Sequence, residues 1–354
     1  MHSKIVNHKN GPRVAHLVNK RMLGGAERVA SDIAHVFGHR IFTLIKIRED
    51  QQSFNKKEEN FIHLIRHLIK GNVNVVHSHH YQSHIVSWLL FFTFKIFSLF
   101  TGRKKIKLVW TIHFDPKRLS KLKVNFLKLL QTIQPSTIIF VSRTVADQWQ
   151  HCSGDQHIIY NGSKFIKSKT SALKRKINDG ANVSLGFIGR DVPGKQLPWF
   201  LELAKIHQEK IDRTYCFSFC VMSDATHLDT STFNINNEAI ISKNITFFQP
   251  NTPLQDFMNS VDVVLSLSRY ESFGLVGVEA LSFQKRFYAL PLPVYKELFP
   301  GQDIFLDVSS PSEFYARLVN FLGQDYPKIN LQKFSLDRML SSYGELYEKI
   351  IRED

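Results

Sequence analysis

Two glutamates, Glu271 and Glu279, stand with seven residues between them, at a point where the chain changes character. Before them runs an apolar segment, Val261–Leu267 (VDVVLSL), long enough for one buried strand. After them comes a helix-compatible segment, and Ser272-Phe273-Gly274 lies at the junction. The pattern predicts a strand, a turn and a helix start. A helix N-terminus offers unpaired N–H groups and the positive end of a dipole, which suit phosphates and sugar hydroxyls. A carboxylate can accept two hydroxyl hydrogen bonds at once, so Glu279, about a turn and a half into the helix, could hold a diol. Phosphate donors between two hydroxyl-binding carboxylates suit a phosphorylated, polyhydroxylated ligand.

A second junction has the same form. Gly189-Arg190-Asp191-Val192-Pro193-Gly194-Lys195 follows the apolar run Val183–Ile188 and precedes a helix expected from Leu197. Two cations beside a helix N-terminus can neutralise a leaving diphosphate, although an isolated pair also fits an ordinary surface. Gly24-Gly25 sits where the first strand, Val14–Val18, turns into a helix through Phe37. Glycine there lets backbone approach a phosphate; a plain tight turn is the alternative. Four histidines within eight residues (His77, His79, His80 and His84) raise the question of a metal. No nearby cysteine or carboxylate completes a set, so none is expected.

The whole string Glu271–Leu281 (ESFGLVGVEAL) resembles the E-x7-E signature of retaining glycosyltransferases of the GT-B fold, family 4 in particular. Further resemblances follow along the chain: GGAER at Gly24–Arg28, VVHSH at Val75–His79, T-x-H ending at His113, I-x-N-G ending at Gly162, and G-R-x-x-P-x-K at Gly189–Lys195. The resemblance implies an α/β chain of two Rossmann-like domains facing across a cleft. It implies His113, Arg190, Lys195 and Glu271 as catalytic residues. It implies a nucleoside diphosphate sugar, UDP- or GDP-linked, bound by Gly24, Gly25, Arg190, Lys195, Ser272, Phe273, Gly274, Leu275 and Glu279. Glu279 would take the ribose diol, Glu271 the transferred sugar and His113 the sugar or phosphate. No cofactor and no metal are implied, in keeping with the absence of a D-x-D motif. Two departures stand out. Gln196 follows the lysine where relatives usually have glycine, and beyond Leu281 the family's glycine pair is missing, with Lys285, Arg286 and Pro291 in that region.

The elements that must position these groups fit two domains in 354 residues. The expected division is 1–166, a polar lysine-rich linker at 167–182, 183–333, and a last helix at 334–354 returning to the first domain. Strands are expected at Ile41–Ile47, Val73–His77, Lys107–Ile112, Thr137–Val141, Tyr215–Met222, Ile245–Phe248 and Asp303–Val308, with a loop at Glu49–Glu59. Cys152, Cys216 and Cys220 give neither a disulfide framework nor zinc spacing, and read as packing residues of a reducing compartment.

The formal net charge of +15 favours an anionic partner. Zinc-finger, RRM-type and helix-turn-helix patterns are absent, so nucleic acid is not expected. Lys117–Ile133 reads as a basic amphipathic helix striped by Leu119, Leu122, Phe126, Leu129, Leu130 and Ile133, a pattern suited to a membrane surface or, equally, to a helix docked on the first domain with its basic face solvated. Tyr81–Phe100 has helix length and is apolar all round, which fits either deep burial or contact with lipid or a partner; its most apolar part, Trp88–Phe100, is too short to span a bilayer and carries Lys95. The polar N-terminus shows no secretory signal. The expectation is a cytoplasmic enzyme, peripheral on the inner face of the membrane, acting on a lipid-linked saccharide of lipopolysaccharide, O-antigen or capsule assembly. The alternative is a catalytically silent relative serving as partner in a polysaccharide synthase complex.

Overall fold

The computed structural model describes residues 12–19, 24–44, 58–101, 106–133, 136–149, 153–166, 170–171, 177–210, 214–223 and 244–353. The chain divides into two compact units, Met1–Gly162 with Leu336–Asp354, and Ser163–Ser335.

The first unit alternates strands and helices: β1 (Val14–Val18), α1 (Gly25–Phe37), β2 (Arg40–Thr43), β3 (Glu58–Asn60), α2 (Phe61–Ile69), β4 (Val75–Ser78), α3 (Tyr81–Thr101), β5 (Lys107–Ile112), α4 (Lys121–Ile133), β6 (Thr137–Phe140), α5 (Arg143–Gln148) and β7 (Gln156–Ile158). The strands form one parallel sheet in the order β3-β2-β1-β4-β5-β6-β7. The order reverses at β1/β4. In such sheets ligands bind beyond the strands' carboxyl ends at this switch point. Strands buried on both faces read as continuous apolar runs, which is why β1, β5 and β6 were legible. Polar β3 was not: it lies within the expected loop, whose residues 49–57 are outside the described ones, as are 45–47 of the second expected strand.

The basic helix differs from expectation. Asp115 accepts from the Lys117 N–H at 2.9 Å and starts a 3₁₀ turn, Pro116–Arg118; α4 begins only at Lys121. Leu119 therefore lies outside the helix. The buried face is Leu127, Leu130 and Gln131, so most of the expected stripe points away from the core: Leu122 is 81% exposed and Leu129 53%. Helix α3 forms over the expected Tyr81–Phe100 stretch, and at that length, unlike Trp88–Phe100 alone, it has the length and composition of a membrane-crossing helix. Its first half is buried through Ser83, His84, Ser87 and Trp88 and packs on β4 and β5. Its second half leaves Leu89, Phe92, Ile96, Phe97, Leu99 and Phe100 exposed. The Trp88 Nε1–H donates to the Leu130 carbonyl at 2.9 Å, tying α3 to α4.

The second unit contains β8 (Thr170–Ser171), β9 (Asn182–Ile188), α6 (Leu197–Glu209), β10 (Cys216–Met222), β11 (Ile245–Phe248), α7 (Leu254–Asn259), β12 (Val263–Ser266), α8 (Leu275–Ser282), β13 (Arg286–Ala289), α9 (Pro293–Leu298), α10 (Pro311–Leu322) and β14 (Ile329–Asn330). Its parallel sheet runs β11-β10-β9-β12-β13, with the reversal at β9/β12. The loops after β9 and β12 are those carrying Arg190, Lys195 and Glu271, so the topology sets them side by side. Within the expected linker, Thr170–Ser171 pairs antiparallel with β14, and Ile177 N–H donates to the Leu322 carbonyl at 3.2 Å; residues 167–169 and 172–176 are outside the described ones. No strand forms at Asp303–Val308. That segment makes a single bridge, with Phe305 opposite Ala289, whose N–H and C=O are met by Ile304 and Leu306.

The last helix, α11 (Leu336–Arg352), belongs to the first unit. Met339, Leu340, Tyr343, Leu346, Tyr347 and Ile350 recur at helical spacing and are buried.

Candidate functional site

In the second unit, Lys195 Nζ pairs with Glu271 Oε1, joining the loop after β9 to the loop after β12. Ser268 Oγ donates to the same carboxylate oxygen at 3.1 Å. The Arg269 N–H donates to the Gly194 carbonyl at 2.9 Å. A Cβ on Gly194 would lie 2.0 Å from the Tyr270 ring, so only glycine allows this approach. Arg190 is exposed on the same loop.

The departure at Gln196 has a structural answer. Gln196 has φ 56° and ψ 43°, the left-handed conformation that glycine adopts without strain. Its side chain is buried. Its Nε2–H donates to the Leu267 carbonyl, and its Oε1 accepts from Arg269 Nε at 2.9 Å. The turn survives because the carboxamide fastens it to the facing loop. Gln196, Ser268, Arg269 and Tyr270 were not singled out for a role, because their contact depends on the adjacency of β9 and β12.

Gly274 also has a positive φ, 80°, and caps α8, which starts at Leu275. A Cβ there would meet the Tyr295 ring at 2.3 Å. Phe273 is buried with its ring edge-on to Phe334, so its side chain anchors the loop. Ser272 and Leu275 are half-buried beside it, and Glu279 is a buried carboxylate on α8. Tyr295 donates to or accepts from Ser266 Oγ at 2.7 Å; burial, then the Glu271 charge, pushes its phenol well above the ordinary value, so it stays neutral. Arg286, in the region where the glycine pair is missing, instead serves α10. It is buried, its Nη1 donates to the Leu322 carbonyl at 2.9 Å, and its cation lies at the helix's negative end.

In the first unit, α1 begins at Gly25 with Gly24 as its N-cap at φ −101°, so neither glycine is required by a left-handed turn. Glu27, in the first turn, pairs with His80 Nε2 at 3.0 Å. His113 follows β5. Its Nε2 lies 3.1 Å from His79 Nδ1; His79 Nε2 lies 3.0 Å from His16 Nδ1; His16 Nε2 lies 3.2 Å from His39 Nδ1. His16 and His77 are register neighbours on β1 and β4 at the switch point. His77 bonds Tyr347 OH at 2.6 Å and Thr111 Oγ1 at 2.7 Å. One ring nitrogen from each of His16, His77 and His79 lies within 4.8 Å of the others, a set hidden in the sequence because His16 sits on another strand. All six of their ring nitrogens are already hydrogen-bonded, so the set fits a polar network better than a metal site. Burial, followed by the neighbouring imidazoles, holds His16, His77, His79 and His84 well below the ordinary histidine value. The same causes bring His113 to about 3, and burial brings His39 to about 4.

Residues 26–163 match the Glycosyltransferase Family 4 model. The structure of Anabaena Alr3699/HepE in complex with UDP and glucose aligns over 97% of this chain and 98% of that one, with a TM-score of 0.68 at 16% identity. The chain has the GT-B fold. Another structure similar to this GT-B chain is the apo form of the lipopolysaccharide outer core galactosyltransferase WaaB, with a TM-score of 0.55, 14% identity, and coverage of 96% and 99%. The O-antigen biosynthesis glycosyltransferase WclY of Escherichia coli is 29% identical over 105 residues. That alignment takes in 28% of this chain and 30% of WclY, so it spans under a third of the curated relative.

Proposed function

We propose that the chain transfers a sugar from a nucleoside diphosphate sugar to an acceptor hydroxyl, with retention at the anomeric carbon and without a metal. The observation that carries this reading is the Lys195–Glu271 pair, which joins the two loops at the β9/β12 switch point beside the start of α8. The bond between the anomeric carbon and the diphosphate oxygen breaks, and negative charge collects on the diphosphate. Lys195, Arg190 and the first N–H groups of α8 stabilise that charge. The acceptor oxygen bonds the same face of the carbon, and its proton passes to the leaving phosphate oxygen. Glu279 holds the ribose diol and Glu271 a hydroxyl of the transferred sugar. In the first unit the residues assigned to the donor are Gly24, Gly25 and His113.

The donor class is supported by the UDP and glucose in the Anabaena structure, and a cell-surface saccharide acceptor by the names of WclY and WaaB. A lipid-linked form of that acceptor agrees with the exposed apolar faces of α3 and α4, set among Lys117, Arg118, Lys121, Lys123 and Lys128. On this reading the protein works at the cytoplasmic face of the membrane.

The test is titration and slow hydrolysis of UDP- and GDP-sugars in EDTA, for wild type, Glu279→Ala and Lys195→Ala. One donor should bind and turn over. Glu279→Ala should lose binding, and Lys195→Ala should lower kcat by about 10²–10³-fold. A folded protein that binds no nucleotide sugar would sink the proposal and favour the silent-partner alternative.

A further inference from the structure

Lys195 and Glu271 bond each other, yet the donor reading gives them different parts of one ligand: the diphosphate to Lys195 and the sugar attached to it to Glu271. The bonds that Glu271 makes among the described residues end on one atom. Its Oε1 takes the Lys195 ammonium and, at 3.1 Å, the Ser268 hydroxyl; its Oε2 takes neither. A carboxylate oxygen has about two lone-pair sites, so Oε1 is filled and Oε2 is the oxygen left to accept a sugar hydroxyl. The lysine stands differently. An ammonium bonded to a carboxylate has much of its charge already neutralised, and that carboxylate repels a diphosphate brought beside it. Lys195 therefore stabilises a leaving diphosphate best once it has let go of Glu271.

Letting go does not part the two loops. The Arg269 N–H donates to the Gly194 carbonyl at 2.9 Å, Gln196 Nε2–H donates to the Leu267 carbonyl, and Arg269 Nε donates to Gln196 Oε1 at 2.9 Å. These bonds run between the same loops and use neither the Lys195 ammonium nor the Glu271 carboxylate. Nor does letting go release the carboxylate, because Ser268 remains. Ser268 is buried in the loop of Glu271 itself, and the one proton its hydroxyl can donate is already given to Oε1. We propose that Ser268 is a positioning residue: it holds Oε1 of Glu271 while Lys195 exchanges that oxygen for the donor diphosphate, and so keeps Oε2 on a hydroxyl of the transferred sugar. The contacts of Ser268 stand on the geometry of the second unit alone; their meaning for turnover rests on the nucleotide-sugar reading.

The experiment measures two quantities on the full chain, for wild type, Ser268→Ala, Ser268→Thr and Glu271→Gln. One is the affinity for UDP and GDP by titration calorimetry; the other is kcat for hydrolysis of UDP-glucose, UDP-galactose and GDP-mannose in EDTA. Ser268→Ala should bind the nucleoside diphosphate within about twofold of wild type but lose kcat by roughly 10–100-fold, the effect of one bond to a charged group and a misplaced substrate contact. Ser268→Thr keeps the hydroxyl and should recover most of that loss. Glu271→Gln frees Lys195 and should bind the nucleoside diphosphate at least about threefold tighter while hydrolysis falls. The proposal is overturned by a Ser268→Ala that keeps its kcat or loses affinity and kcat together, and by a Glu271→Gln that binds no more tightly than wild type. Should Ser268→Ala not fold, Ser268→Cys, with similar volume and a weaker donor, carries the same expectation. A folded wild type that binds neither UDP nor GDP and hydrolyses none of the three sugars removes the nucleotide-sugar reading and this proposal with it. A wild type that binds and hydrolyses, beside variants that match it, removes this proposal alone.

Discussion

Replacing Gln196 tests how the two loops of the second unit are held. A side chain in the left-handed region costs about 1–2 kcal/mol relative to an ordinary conformation, and glycine avoids most of that. Against the strain stand two hydrogen bonds of a buried carboxamide, to the Leu267 carbonyl and from the Arg269 guanidinium. A neutral bond contributes about 0.5–1.5 kcal/mol and one to a charged group about 1.5–3. Gln196→Ala loses both bonds and keeps the strain, for an expected loss of about 3 kcal/mol. Gln196→Gly loses the same bonds but relieves the strain, less glycine's extra chain entropy, for about 2 kcal/mol. The order is the informative part: glycine should be the better tolerated, by about 1 kcal/mol. Trp199 is the one tryptophan between residues 163 and 335, so ¹⁹F NMR of 5-fluorotryptophan protein in urea reports this unit within the whole chain. An alanine variant as stable as the glycine variant would refute the reasoning, because the strain at Gln196 would then count for nothing.

Three further outcomes follow from the geometry. Gly274→Ala should lose more than about 2 kcal/mol in the same assay, combining a positive φ with a Cβ 2.3 Å from Tyr295, whereas Gly301→Ala, at φ 69° with open space around its Cβ, should lose about 1 kcal/mol. The first unit should be acid-labile. His16, His39, His77, His79, His84 and His113 all titrate below the unfolded value of 6.5, so the unfolded chain binds more protons; the stability they contribute is full above that pH and falls as pH drops, at up to about 1.4 kcal/mol per pH unit for each group. Their charged or titratable neighbours are His80 with Glu27, and Tyr343 and Tyr347 on α11. Near-UV circular dichroism from pH 8 to 4 should show a steep transition below pH 6.5, and a flat profile would refute the assignment. Leu122→Gln with Leu129→Gln should weaken sedimentation with anionic vesicles at least about tenfold while leaving donor affinity unchanged, since each leucine contributes about 1.5–3 kcal/mol when buried; equal sedimentation would remove α4 from the membrane reading.

The sequence made the motif-bearing loops legible because each follows an apolar strand and ends in a helix start, a change of period visible in a single string. Lys107–Ile112 was placed to the residue, and the α6 start was expected at about Leu197, where it lies. Partnership across the sheet was not legible. Gln196 looked like a fault in a turn until Leu267 and Arg269 were placed beside it. His16 carried no signal, since a histidine within an apolar run reads as a core residue; its meaning depends on β4 lying next to β1. The direction of the α4 stripe was misread for a related reason. Periodicity finds an apolar face, but the core takes Leu130 from the edge of that face and Leu127 and Gln131 from beside it.

The first unit is built from two stretches of chain separated by the whole of the second. During synthesis, residues 163–335 are complete and free to collapse while the sheet of the first unit still lacks α11. In that interval the histidine chain is open to water along the side that Tyr343 and Tyr347 later cover, and His77 lacks its Tyr347 partner. A nascent first unit therefore remains a half-finished, hydrated sheet until residues 336–352 have been made. Its closure waits on α11, and a chain stopped short of that helix leaves imidazoles and an apolar sheet face uncovered.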